Sequence, residues 1–152
     1  MSEKYELSEL EELIRETLER GGEFTLRTNG TSMYPMLVDG ESRVVLVKPP
    51  LKLKRDDIAF YKRDNGQFVL HRVVGTRKNG YVIRGDNQSI TEYGVRHDAV
   101  IGVVKAYYKG DELIPVDDKE YLKYVKGIKR KYPIRRLKYL YYKLEHKFKR
   151  KK

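Results

Sequence analysis

Residues 56–75 read DDIAFYKRDNGQFVLHRVVG. Two runs rich in β-branched and aromatic residues, DDIAFYK and QFVLHRVVG, flank RDNG, whose Asp64, Asn65 and Gly66 are the residue types that tight turns use. The passage predicts a β-hairpin. In its second run Val69, His71 and Val73 share one strand face at a period of two, so a titratable ring sits among apolar neighbours. Working outward, EFTLRT alternates Phe24 and Leu26 with polar residues, SRVVLV is rich in β formers, YVIRG follows the turn KNG, and AVIGVVKAYY precedes KGDEL. The expectation is a mainly β fold. It takes the form of a meander of short strands in a compact, partly closed, barrel-like domain, because closure limits exposed edges.

The two ends read differently. Ser8 and Glu11 have the spacing of a capping box, and Leu10, Leu13, Ile14 and Leu18 recur at helical intervals before Gly21-Gly22, which predicts an amphipathic helix over 8–20. After Pro115 the pattern turns helical again. Asp117 or Asp118 can cap a segment holding Tyr121, Leu122, Tyr124, Val125 and Ile128. Pro133 is expected to interrupt it ahead of Ile134, Leu137, Leu140, Tyr141, Leu144 and Phe148. The terminal KFKRKK is expected to fray. These readings divide the chain into an N-terminal helix (1–22), a β domain (23–116) and a basic helical tail (117–152).

Composition removes several chemistries. Among 152 residues there is no cysteine, which excludes disulfides, thiolate metal sites and a cysteine nucleophile. His71, His97 and His146 lie far apart and show no metal-ligand spacing, so neither a metal nor an organic cofactor is expected. No apolar run approaches the ~18–20 residues that span a bilayer, and the N-terminus is acidic where a signal peptide is basic and then apolar. A cytoplasmic location, peripheral at a membrane if at one at all, is the expectation. The formal charge of +11 is uneven: residues 119–152 hold 15 Lys and Arg against Glu120 and Glu145, leaving 18 basic and 20 acidic residues elsewhere. Inferences about anionic partners therefore belong to the tail.

The second informative stretch is GTSMYPML, residues 30–37. A serine hydroxyl becomes nucleophilic when a neighbouring base takes its proton, and His71 is the best-placed candidate for Ser32. An apolar strand face keeps an imidazole neutral and able to accept that proton. The bland alternatives are a turn serine and a core histidine bonded to a carbonyl.

The order GTSMYPML, DGESRVVLV, RDDIAFYKR, VLHRVVG, VIRGDNQS, AVIGVV resembles the catalytic domain of the type I signal peptidase family, whose wider clan includes LexA-type self-cleaving repressors. The similarity covers roughly residues 23–108. It implies a signal-peptidase-like β fold, with Ser32 in the Ser-Met-x-Pro element as nucleophile. His71, in His-Arg-Val, resembles the base of the endoplasmic-reticulum-type and archaeal-like members, where bacterial members usually carry lysine. Gly85-Asp86-Asn87 matches the Gly-Asp-Asn element. Asp86 can orient the ring as in triads, or serve as a turn residue, and Thr91 and Glu92 are further candidates for the orienting role. The Ser32 N–H resembles the family's main oxyanion donor. Gly30 stands where some bacterial members add a hydroxyl, leaving Asn29, Thr31 or a second amide as replacements. Gly30, Thr31, Met33 and Pro35 are implied to shape pockets for small residues of an extended peptide or preprotein.

The chain departs from the family in lacking a membrane-spanning helix. In its place residues 134–150 set Ile134, Leu137, Leu140, Tyr141, Leu144 and Phe148 against Arg135, Arg136, Lys138, Lys143 and Lys147, a pattern suited either to an anionic membrane surface or to packing on the domain. Nucleic acid ranks behind, since tyrosines interleave with lysines but no binding motif is present. Two function classes result: a serine endopeptidase working through a Ser–His dyad and an acyl-enzyme, and a non-catalytic peptide-binding, DNA-associated or membrane-associated module that keeps the fold. A self-cleaving repressor is discounted, because 22 residues ahead of Glu23 cannot hold a DNA-binding domain.

Overall fold

A computed structural model describes the backbone of residues 2–149 and the side chains of residues 8–149. The chain falls into two compact units, Met1–Val116 and Asp117–Lys152. In the first, helix α1 (Ser2–Glu19) precedes eight strands among the described residues: β1 (Phe24–Arg27), β2 (Arg43–Val47), β3 (Ile58–Lys62), β4 (Phe68–Arg77), β5 (Gly80–Arg84), β6 (Glu92–Val95), β7 (Val100–Lys109) and β8 (Glu112–Pro115). A short 3-10 turn, His97–Ala99, leads into β7.

The strands form one antiparallel sheet in the order β1-β2-β7-β3-β4-β5-β6, with β8 pairing β7 off that path. The expected hairpin is present as β3–β4, in the register Ala59 opposite His71 and Tyr61 opposite Val69. Its RDNG turn closes as the composition predicts. Gly66 adopts φ +85°, its N–H donates to the Arg63 carbonyl, and the Gln67 N–H donates to Asn65 Oδ1.

Three expectations for the first unit are corrected. The sheet is not a simple meander, because β7 comes late in sequence yet lies between β2 and β3. Its run Val100–Ala106 is buried on both faces apart from Lys105, and a strand so continuously apolar belongs at the centre of a sheet. The sheet is also not closed, since β1 and β6 lie at opposite ends of the strand order. Finally, Ser8 lies inside α1 instead of capping it: the helix starts six residues earlier, through a stretch that includes the strong helix formers Glu3, Lys4, Glu6 and Leu7.

Helix α1 ends where Gly21-Gly22 predicted. Gly21 takes φ +81°, and its N–H and that of Gly22 close on the carbonyls of Leu18 and Thr17. Ile14 and Leu18 are buried, and Leu18 seats over Gly102 of β7, where a Cβ would stand 3.0 Å from Leu18 Cδ1.

The second unit is α2 (Lys119–Lys149), capped by Asp118, whose Oδ1 accepts from the N–H groups of Glu120 and Tyr121. Pro133 does not interrupt it. The missing N–H removes one rung of a 31-residue ladder, and the helix continues on both sides. Residues 147–149 of the terminal KFKRKK are helical, and Arg150, Lys151 and Lys152 lie outside the described residues.

Candidate functional site

Ser32 lies in the loop between β1 and β2, His71 in the middle of β4, and Asp86 just after β5. The fold draws the three segments together. The Asn87 N–H donates to the Ser32 carbonyl at 2.8 Å, and Asn87 Nδ2 donates to the Thr31 carbonyl at 3.1 Å. The Asp86 N–H meets the Met33 sulfur at 3.4 Å. Gly85 has no room for a side chain, since a Cβ would stand 2.6 Å from the Ser32 carbonyl oxygen. The Gly-Asp-Asn element therefore clamps the serine turn through its backbone and the Asn87 side chain, and its glycine is required by close approach.

The Asp86 side chain takes a partner that neither the ring-orienting nor the turn reading named. Its two oxygens bind Arg72 as a fork, Nε to Oδ1 at 2.7 Å and Nη2 to Oδ2 at 2.8 Å, and neither side chain is more than 3 % exposed. Arg72 also donates to the Asp56 carbonyl and reaches the Met36 sulfur. No hydrogen bond joins Asp86 to His71 among the described residues, although the carboxylate lies near enough to favour the charged ring. Sequence reasoning overlooked Arg72. The available signal was a charged residue beside His71 in an apolar strand, which needs a buried counter-ion such as Asp86.

A cavity of about 770 Å³ opens beside the clamped turn. Ser32 and His71 both line it, as do Gly30, Thr31 and Met33, whereas Pro35, which follows a cis peptide bond, does not. Leu10, Glu11 and Ile14 of α1 form part of the wall, and Leu26, Arg27 and Thr28 add the edge of β1. The participation of α1 was not anticipated. Gly30 adopts φ +86° and its N–H donates to Asp39, which holds the approach to Ser32 in a conformation that favours glycine.

Within this cavity the Ser32 hydroxyl and the His71 ring are not hydrogen-bonded to each other, and neither has another side-chain hydrogen bond among the described residues. The Ser32 N–H likewise donates to no described group. His71 is 4 % exposed, packs edge-on against Tyr61 and faces the small Ala59 across the hairpin.

Burial pushes the His71 pKa down to about 4, assisted by the positive charge of Arg63 and opposed by Glu92 and Asp86. Arg63 and Glu92 bind each other at 3.0 Å, and Tyr61 donates to Glu92 at 2.6 Å. Burial acts to raise the Glu92 pKa, but the hydrogen bonds from Arg63 and Tyr61 outweigh it and leave the carboxyl lowered. Of the downstream candidates for an orienting acid, Glu92 thus influences the ring through its charge, across Arg63 and Tyr61, with no direct bond. Among the described residues no cluster of His, Asp and Glu has the makings of a metal site.

Comparison of the sequence with known protein families finds none that matches, and comparison with curated proteins likewise finds no match.

Two measurements follow from this geometry. Removing one partner of a buried ion pair strands the other charge, so Asp86→Ala is expected to lower the urea-unfolding free energy by about 3–5 kcal/mol, with Arg72→Met/Asp86→Leu recovering most of that loss. Equal losses in the single and double variants contradict a coupled pair. For His71, the folded pKa near 4 lies below the ordinary 6.5, so the unfolded chain binds more protons in that window. Stability is therefore expected to fall as pH drops from 6.5 towards 4, and the His71 ring signal in an NMR titration should move with a midpoint near 4, assigned by its absence in His71→Gln. A midpoint at or above 6.5 contradicts the buried, neutral ring.

Proposed function

We propose that the protein is a serine endopeptidase resembling type I signal peptidase, with Ser32 as nucleophile and His71 as general base, acting on extended peptides after small residues. A signal-peptidase-like β domain is the fold that accompanies this reading. The observation that carries it is the shared lining of one cavity by a hydroxyl and a neutral imidazole drawn from distant segments.

The chemistry needs the Ser32 hydroxyl and a ring nitrogen of His71 to come within hydrogen-bond reach, a tightening common when substrate enters. Ser32 Oγ then gives its proton to His71 and bonds to the substrate carbonyl carbon. The carbonyl oxygen becomes an oxyanion, and the uncommitted Ser32 N–H is the donor available to it. As the C–N bond breaks, His71 returns the proton to the departing amine. Water repeats the sequence on the acyl-enzyme. Asp86 acts in this scheme as a positioning residue, holding the serine turn through Arg72 and Met33. The outer edge of β1 ends the sheet beside the cavity and suits pairing with an extended chain. A ring held neutral accepts protons over a wide pH range but is a weaker base than an unshifted histidine.

The unmade Ser32–His71 hydrogen bond favours a second reading, a peptide-binding module without turnover. The two separate on Ser32→Ala, tested against an unstructured peptide library with Ala at the cleavage position. Catalysis predicts cleavage by the wild type, a loss of at least about 10³-fold in the variant, and retained peptide binding. Binding without cleavage by either protein supports the module.

A further inference from the structure

Helix α2 carries two apolar stripes that do not share a face. At ~100° per residue, Tyr121, Tyr124, Val125 and Ile128 fall on one arc, while Ile134, Leu137, Tyr141, Leu144 and Phe148 fall on another about 180° away. The second stripe is open. Ile134 is 60 % exposed, Leu137 71 %, Tyr141 70 % and Phe148 72 %. The remainder of the circumference over residues 134–149 carries Arg135, Arg136, Lys138, Lys143, Lys147 and Lys149 against Glu145, which Lys149 engages at 3.0 Å, with Tyr139, Leu140, Tyr142 and His146 interspersed.

We propose that the Ile134–Lys149 half of α2 is an interfacial helix that docks the protein on an anionic lipid bilayer. Charge and shape agree on this occupant. An aliphatic and aromatic stripe roughly a quarter of the circumference wide can sink into the boundary between headgroups and acyl chains, with flanking lysines and arginines level with anionic headgroups. No described helix is long and apolar enough to cross a membrane, so the contact lies in the plane of the interface.

Other occupants fit less well. Nucleic acid satisfies the cations but leaves Leu137 and Leu144 in water. A second copy of this helix aligns like charges along both flanks, and the stripe spans about two heptads where a stable coiled coil needs at least three or four. The inference rests on the second unit and holds whether or not Ser32 is a nucleophile.

The test is co-sedimentation of the full chain with vesicles of phosphatidylcholine containing about 30 % phosphatidylserine, and with pure phosphatidylcholine vesicles. Binding is expected to the anionic vesicles only, weakening at least tenfold as salt rises from about 0.1 M to about 0.5 M. Arg135→Gln/Arg136→Gln/Lys138→Gln should weaken it about 100-fold, and Leu137→Glu/Leu144→Glu should abolish it while circular dichroism shows the β domain folded. The proposal is overturned by no binding to anionic vesicles at low salt, by equal binding to both compositions, or by tighter binding to a duplex oligonucleotide that is indifferent to Leu137→Glu/Leu144→Glu. Self-association in sedimentation equilibrium that disappears in the leucine variant also overturns it, since the stripe is then covered by a second copy.

Discussion

The buried pair of Arg72 and Asp86 is the interaction on which the arrangement of the site depends. Two charges removed from water are tolerable only when each satisfies the other, and here the fork geometry does so with both oxygens of the carboxylate. The pair joins the middle of β4 to the turn after β5, and that turn holds the serine loop through the Ser32 carbonyl and the Met33 sulfur. Adjacent residues in a strand point to opposite faces, so β4 secures the loops with Arg72 on one side while its other side presents His71. The buried ring and its scaffold are thus neighbours in sequence.

Around the ring, burial decides the charge state, and the surrounding ions adjust it. Arg63 works against protonation, Glu92 and Asp86 work for it, and burial prevails. The Arg63–Glu92 pair lies partly open to water while the Arg72–Asp86 pair is closed, so the former is the more susceptible to salt. The cavity thereby couples a fixed frame to an adjustable electrostatic setting. Helix α1 contributes to the same wall, with Ile14 buried and Lys62 of β3 bound to Glu11.

Local patterns were legible in the sequence, and long-range pairings were not. The RDNG turn, the period-two face of Val69, His71 and Val73, and the Gly21-Gly22 stop follow from backbone preferences within a few residues, and each is present. Strand β6 was missed because EYGV has a glycine in its interior and only one β-branched residue. The place of β7 depends on competition among strands for the centre of a sheet, which no window of sequence displays. The partner of Asp86 was misread for a related reason: a carboxylate in a turn can serve its own backbone, a histidine or an arginine, and only the fold decides which is within reach. Pro133 was overweighted, since one missing N–H matters less inside a long helix than in a short one.

The proposed enzyme stands on activation of the Ser32 hydroxyl by the His71 ring across the shared cavity. Its most direct test is covalent labelling with a fluorophosphonate, located by peptide mass spectrometry in the wild type and in a folded His71→Ala variant. One adduct is expected, on Ser32, forming far more slowly when the imidazole is removed. A folded wild type that takes no label at Ser32, or labels there equally fast without His71, contradicts it.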